Sequence, residues 1–270
     1  MHKDCRLFSR YWTTAFLVAL LYAPPGVSEA QSVGADIPAI AIIIDDLGNG
    51  YERDKRAVLL PGKVSYAFLP HARYTKALAN FAHQLNKDVL LHLPMQSTEA
   101  EPLGPGALTL DMSASQLLQT FLTGLASVPH AVGVNNHMGS LLTQHPGHMQ
   151  WLMHAIAEKG DLFFVDSFTI AKSIAYKIAN ENSIPSMKRD VFLDSVRNPA
   201  AIRRQFYRLL DTARKNGVAL AIGHPYPDTL NMLETLLPTL PQQGIQLVPI
   251  SQLIKSDIQR IQTWRASLSP

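Results

Sequence analysis

The sequence predicts an α/β fold, a parallel (β/α) barrel of seven or eight strands. From Ala39 onward short apolar runs alternate with longer stretches of helical period, and most of the runs are continuously apolar rather than strictly alternating. Continuous runs are what parallel strands need when both faces of the sheet are covered. Seven or eight such units in about 240 residues suit a closed or nearly closed barrel better than an open sheet, and both a complete eightfold barrel and a seven-strand variant fit. No low-complexity stretch, repeat or linker divides the chain after residue 30, so residues 31–270 form one barrel domain.

The expected strands, in order, are AIAIIID (39–45), VSYAFLP (64–70), DVLLHLP (88–94), AVGVNN (131–136), DLFFVDS (161–167), SMKRDVFL (186–193), VALAIGH (218–224) and IQLVPI (245–250). Helical stretches lie between them at 71–86, 113–127, 146–159, 171–181, 198–215 and 227–240. Ser113 and Asn198 have the short polar side chains that cap helix N-termini, while Lys159-Gly160 and Asn216-Gly217 have the glycine that ends helices. The interval from Gln96 to Leu110, with Pro102, Gly104, Pro105 and Gly106, is the longest without an element and reads as a lid or binding loop after the third strand.

Residues 1–30 differ from the rest. Lys3, Arg6 and Arg10 precede an uncharged stretch from Tyr11 to Ala23, followed by Pro24, Pro25 and Gly26, with the small residues Ser28 and Ala30 beyond. This is the pattern of a secretory signal, too short to span a bilayer, which needs about 20 apolar residues. The expected mature start is near Gln31, and the protein is expected to be exported, periplasmic or secreted. Its only membrane contact would be this segment, left uncleaved. The single cysteine, Cys5, lies ahead of the apolar stretch, so the barrel must rely on its core rather than on disulfides.

In a chain of 270 residues, 47% apolar and 17% charged residues exclude a disordered, collagen-like or multi-span protein. The formal charge of +3 is spread along the chain without a basic run, so no nucleic-acid partner is expected.

Function is written in the strand ends. Asp45 and Asp46 end the first strand, His92 and Gln96 the third, Asn135, Asn136 and His137 the fourth, Asp166 the fifth and His224 the seventh. In a parallel barrel these ends share one face, where catalytic groups gather. Carboxylates and imidazoles at one mouth suit a divalent transition metal, zinc first. Such a site suits hydrolysis of an amide or ester, with a carboxylate accepting the proton of the attacking water and an imidazole protonating the leaving group. Nucleophilic and nucleotide-binding alternatives lack their motifs: there is no G-x-S-x-G elbow, no Walker sequence and no G-x-G-x-x-G after a strand. A glycosidase using Asp45 and Asp166 remains open, because two facing carboxylates are what it needs. His145 and His148, three apart near a helix start, also have a spacing that suits a metal.

The ordered set IIIDDLG, LLHLPMQ, GVNNHMGS, FFVDS and AIGHP, over residues 38–255, resembles the divergent polysaccharide deacetylase family 2, whose members are similar to the NodB-type carbohydrate esterases. The resemblance implies a distorted (β/α) barrel that removes acetyl groups from a polysaccharide or peptidoglycan with a divalent metal. It implies Asp45 as base and Asp46 and His92 as metal ligands. The second histidine of the esterases' H-x-x-x-H motif is absent, since Gln96 stands there, and His137 is taken as the third ligand. His224 falls where the esterases have their general acid, and Asp166 where a carboxylate orients it. Asn135, Asn136 and Gln96 are assigned to the substrate. A glycan-binding or envelope-assembly protein without turnover is the alternative from another class.

Overall fold

The computed structural model describes residues 37–99 and 101–267, so the expected signal at 1–30 and the mature start near Gln31 lie outside the described residues. Among the described residues nine strands form one sheet: β1 (Ala39–Leu47), β2 (Ser65–Phe68), β3 (Val89–Met95), β4 (Ala131–Met138), β5 (Phe163–Asp166), β6 (Ser186–Lys188), β7 (Val191–Phe192), β8 (Val218–Gly223) and β9 (Gln246–Leu247). Their order is β6-β5-β4-β3-β2-β1-β8-β7, all parallel, with β9 beside the start of β1. This is the curled sheet of a distorted (β/α) barrel.

The distortion is concentrated at one seam. The segment read as a single strand over 186–193 pairs with β5 through its first residues and with β8 through its last. Between them, Arg189 N donates to the Asp166 carbonyl at 3.0 Å and Asp190 N to the Leu220 carbonyl at 2.9 Å. Asp190 Oδ2 accepts from Leu220 N at 2.8 Å. One extended segment therefore changes partner midway and joins the two edges of the sheet. Counting it once, and leaving out the two-residue β9 beside β1, gives the seven-strand variant.

The apolar runs divide by pleat into two cores, as strands covered on both faces must. Ile40, Ile42 and Ile44 pack outward under the helices, while Ala41 and Ile43 face inward with Ala67, Leu90, Val165 and Leu220. Gly133 on β4 leaves room for the Phe163 ring of β5, which would lie 2.2 Å from an added Cβ.

The helices are α1 (Tyr51–Val58), α2 (Thr75–Gln84), α3 (Ala114–Ser127), α4 (Pro146–Lys159), α5 (Ala175–Glu181), α6 (Pro199–Asn216), α7 (Pro227–Leu236) and α8 (Ile250–Ser267). Ser113 and Gln116 form a reciprocal capping box on α3, Asn198 caps α6, and Gly160 and Gly217 follow α4 and α6 with positive φ. Two helices were not expected. α1 buries only Asp54, Ala57 and Val58, so it has almost no apolar stripe. α8 begins where the last strand was expected to continue: β9 stops after two residues, and Ile250, Leu253 and Ile254 join the inner core. Among the described residues no helix is long and apolar enough to cross a membrane.

Candidate metal centre

Two consecutive residues of a regular strand point to opposite faces, yet Asp45 and Asp46 both serve the barrel mouth. The register of β1 on β2 shifts between Ile44 and Leu47, and Asp46 has φ of 62°. This irregularity turns the second carboxylate to the same side as the first. A non-glycine residue there is strained, and such strain is characteristic of functional positions.

β3 and β4 supply the imidazoles. His92 is in register with Asn135, and Pro94 with His137, so the two rings come to one side of the mouth. His92 Nε2 lies 3.1 Å from Asp46 Oδ1 and 3.1 Å from His137 Nδ1, and His137 Nδ1 lies 2.9 Å from Asp46 Oδ1. On a tetrahedral ion with bonds of ~2.05 Å, adjacent ligand atoms are ~3.3 Å apart. The triangle has that size, and these are the three residues expected to hold the metal. Asp46 Oδ1 is buried and, for all its closeness to both rings, has no hydrogen bond of acceptable geometry. An oxygen aimed between two nitrogens, rather than along either N–H, fits a cation.

The surroundings fix the ligands. His92 Nδ1 pairs with Asn135 Oδ1 at 2.9 Å, which keeps the proton on Nδ1 and directs Nε2 to the triangle. Asn135 Nδ2 donates to Asp45 Oδ1 at 2.8 Å. Burial opposes the charge on His92, but Asp45 and Asp46 outweigh it and raise its pKa to about 9. Burial likewise works against the Asp46 carboxylate, and the neighbouring His137 and His92 hold its pKa far below the ordinary range. Asp45 is buried at 2% exposure, and burial pushes its pKa up despite His92 and His224 nearby. The two adjacent carboxylates are thus shifted in opposite directions, Asp45 up and Asp46 down.

His224 follows β8, with Nε2 3.7 Å from Asp46 Oδ2. Burial lowers its pKa, but the bond to Asp194 and the charges of Asp194, Asp46 and Asp45 raise it overall. The partner of its Nδ1 is Asp194, at 2.9 Å, and not the expected Asp166. Asp166 is fully buried and held by its own loop, accepting from Phe168 N at 2.8 Å, Ser173 Oγ at 2.7 Å and Tyr176 N at 3.3 Å. It does not line the cavity, which also removes the facing carboxylate of the glycosidase reading.

Of the three residues assigned to substrate, Asn135 and Gln96 act as braces, while Asn136 is a brace that also lines the cavity. Asn135 is fully buried, with both ends of its amide on Asp45 and His92. Asn136 donates to the Met138 carbonyl at 2.8 Å and accepts from Ser167 N at 2.8 Å, tying β4 to the loop after β5. Gln96 turns away from the mouth, its Oε1 accepting from Leu110 N at 2.7 Å. Of the pair at 145 and 148, His145 caps α4.

Two residues escaped the sequence reading. Asp194 stands at the end of its strand in FLDS, as Asp166 does in FVDS, so the strand-end rule would have found it. Arg189, at the seam, lines the cavity and donates to the carbonyls of Ser167 and Phe168. The cavity itself has a volume of about 190 Å³, with Asp45, Asp46, His92, His137, Arg189 and His224 in its wall.

Residues 42–254 match the family described as divergent polysaccharide deacetylase. An uncharacterized protein of Haemophilus influenzae is 42% identical over 218 residues, covering 81% of this chain and 77% of that protein. Among solved structures, the uncharacterized protein ATU2773 of Agrobacterium tumefaciens has a TM-score of 0.77 at 24% identity, covering 82% of this chain and 90% of that one. Peptidoglycan deacetylase PdaC of Bacillus subtilis has a TM-score of 0.52 at 15% identity, over 88% of this chain and 100% of that one. At these identities the two structures attest the fold alone. The family match and the identity to the relative extend over most of the barrel, and the chain belongs to the divergent polysaccharide deacetylase family.

Proposed function

We propose that the protein is a metal-dependent hydrolase that removes acetyl groups from an N-acetylated envelope polysaccharide. The observation that carries this reading is the triangle of Asp46, His92 and His137, flanked by a buried carboxylate on one side and a carboxylate-held imidazole on the other. Three nitrogen and oxygen donors with a position left for substrate fit zinc. A divalent cation bound there supplies Lewis acidity, polarising the acetyl carbonyl and making water a stronger acid.

Asp45 accepts the proton of the attacking water, its raised pKa bringing it nearer to neutral pH than an exposed carboxylate. His224, its Nδ1 held by Asp194, gives a proton from Nε2 to the departing nitrogen. The C–N bond breaks, acetate leaves, and the free amine remains on the sugar. Gln96 in place of a ligand histidine does not count against this, since His137 completes the triangle and Gln96 anchors a loop.

The same reading puts the enzyme outside the cytoplasm, where such a glycan is found, and the signal-like segment at 1–30 supports it. Acetate release from N-acetylated peptidoglycan and from chitotetraose is the test, with zinc, cobalt or manganese supplied. Asp45→Asn should retain the metal and lose turnover. Absence of acetate release with every metal and both glycans would overturn the proposal.

A further inference from the structure

A second cavity, of about 330 Å³, opens beside the metal centre, and His137 lines both. Leu69, Pro102 and Pro105 give it apolar walls, and Asn49, His71 and Arg73 its polar groups. Its volume is at the lower end of small-molecule sites.

The loop over this cavity is tied down at both ends. The loop that forms the roof is pinned where it leaves and rejoins the sheet: Leu108 N donates to the Pro94 carbonyl at 2.8 Å, Gln96 N to the Leu108 carbonyl at 2.9 Å, and the Gln96 side chain holds Leu110. Gly106, with φ of 77°, lies against the His71 ring, which would be 3.1 Å from an added Cβ. The roof therefore rests on the 69–73 segment with no side chain between.

The charge of this cavity is one-sided. Arg73 is exposed, lies over the Tyr74 ring at 5.2 Å, and has no ion-pair partner among the described residues. No carboxylate lines the cavity, and Glu99 and Glu101 of the same loop are exposed outside it. A guanidinium with free donors, over apolar walls that suit a pyranose face, is the equipment for an anionic sugar.

We propose that this cavity is the subsite for the sugar next to the one deacetylated, and that Arg73, with Asn49 and His71, selects a neighbour bearing an oxyanion, carboxylate or phosphate. The inference rests on the deacetylase reading for its register along the glycan. Its binding test does not depend on turnover.

The test is calorimetric binding to the zinc-loaded protein of three disaccharides: N-acetylglucosaminyl-N-acetylmuramic acid, N,N′-diacetylchitobiose, and diacetylchitobiose 6-phosphate. At least one anionic disaccharide should bind about 10- to 100-fold more tightly than the neutral one, the span expected of charge-assisted hydrogen bonds. Which anion gains the more tells carboxylate from phosphate. Arg73→Gln should abolish the preference, and Arg73→Lys should restore part of it. Equal binding of all three disaccharides, no binding of any, or a preference that survives Arg73→Gln overturns the subsite. Arg73-dependent binding without acetate release from any of them would overturn the deacetylase and keep the subsite.

Discussion

Replacing Asp194 by Asn tests the proton donor while almost preserving its shape. Asp194 is buried, and its oxygens divide three donors: Oδ2 takes His224 N at 2.7 Å and the Thr229 hydroxyl at 2.8 Å, while Oδ1 takes His224 Nδ1 at 2.9 Å. An amide has one accepting and one donating end. Its oxygen serves best where two donors already converge, which leaves its NH2 facing Nδ1. The ring must then present a bare Nδ1 and keep its one proton on Nε2 in the neutral form. Neutral imidazole is far too weak an acid to protonate a leaving nitrogen, and the charge that held the ring protonated is gone. The expected loss in kcat is the whole general-acid contribution, about 10²- to 10⁴-fold, with KM nearly unchanged.

Acetate release as a function of pH, beside the ¹⁵N shifts of the His224 ring, measures both halves of this argument. The alkaline limb of the rate profile should move to lower pH in the variant, and the titration of the ring should move with it. Asp166→Asn should disturb the loop at Ser173 and Tyr176 but leave that titration in place. Activity within about threefold of the parent, or an unchanged His224 titration in Asp194→Asn, would refute the assignment.

Asp46→Asn removes the charged corner of the triangle, and elemental analysis should show metal affinity weakened more than about 100-fold, since even residues behind the ligands are worth 10- to 100-fold. Gln96→Ala should leave metal content intact and cost about 1–3 kcal/mol in denaturant unfolding, because Leu110 N loses its acceptor; lost metal would make Gln96 a ligand after all. In chelator-treated protein, the raised His92 pKa contributes stability that is complete below 6.5 and is lost as pH rises through about 9. Thermal unfolding between pH 6.5 and 9.5 should show that decline, and His92→Gln should remove it. Zinc must displace the same proton, so its apparent affinity should rise across the same interval.

Much of the barrel was legible because β1, β3 and β8 are buried along nearly their whole length and so are written as long, mostly apolar runs. The metal triangle was legible for a related reason: parallel strands bring their C-terminal ends together whatever their separation in sequence. What escaped depends on events inside single elements. The change of partner at Arg189 and Asp190 leaves no mark in hydrophobicity, so 186–193 read as one strand and Asp194 was passed over in favour of Asp166. Asn135 and Gln96 looked like substrate groups because residue type says nothing of direction, and each, outside the cavity wall, spends its amide on a neighbour. α1 was invisible because its burial rests on three residues.

The strand that changes partner also carries the holder of the proposed acid, with Asp194 two residues beyond β7, whereas the proposed metal ligands stand on β1, β3 and β4. On the proposed function, cation capture and proton donation would therefore depend on different strand pairings. Unzipping at Asp190 would disarm His224 while zinc stayed seated, and amide exchange of residues 189–194 should follow the loss of turnover rather than the loss of metal.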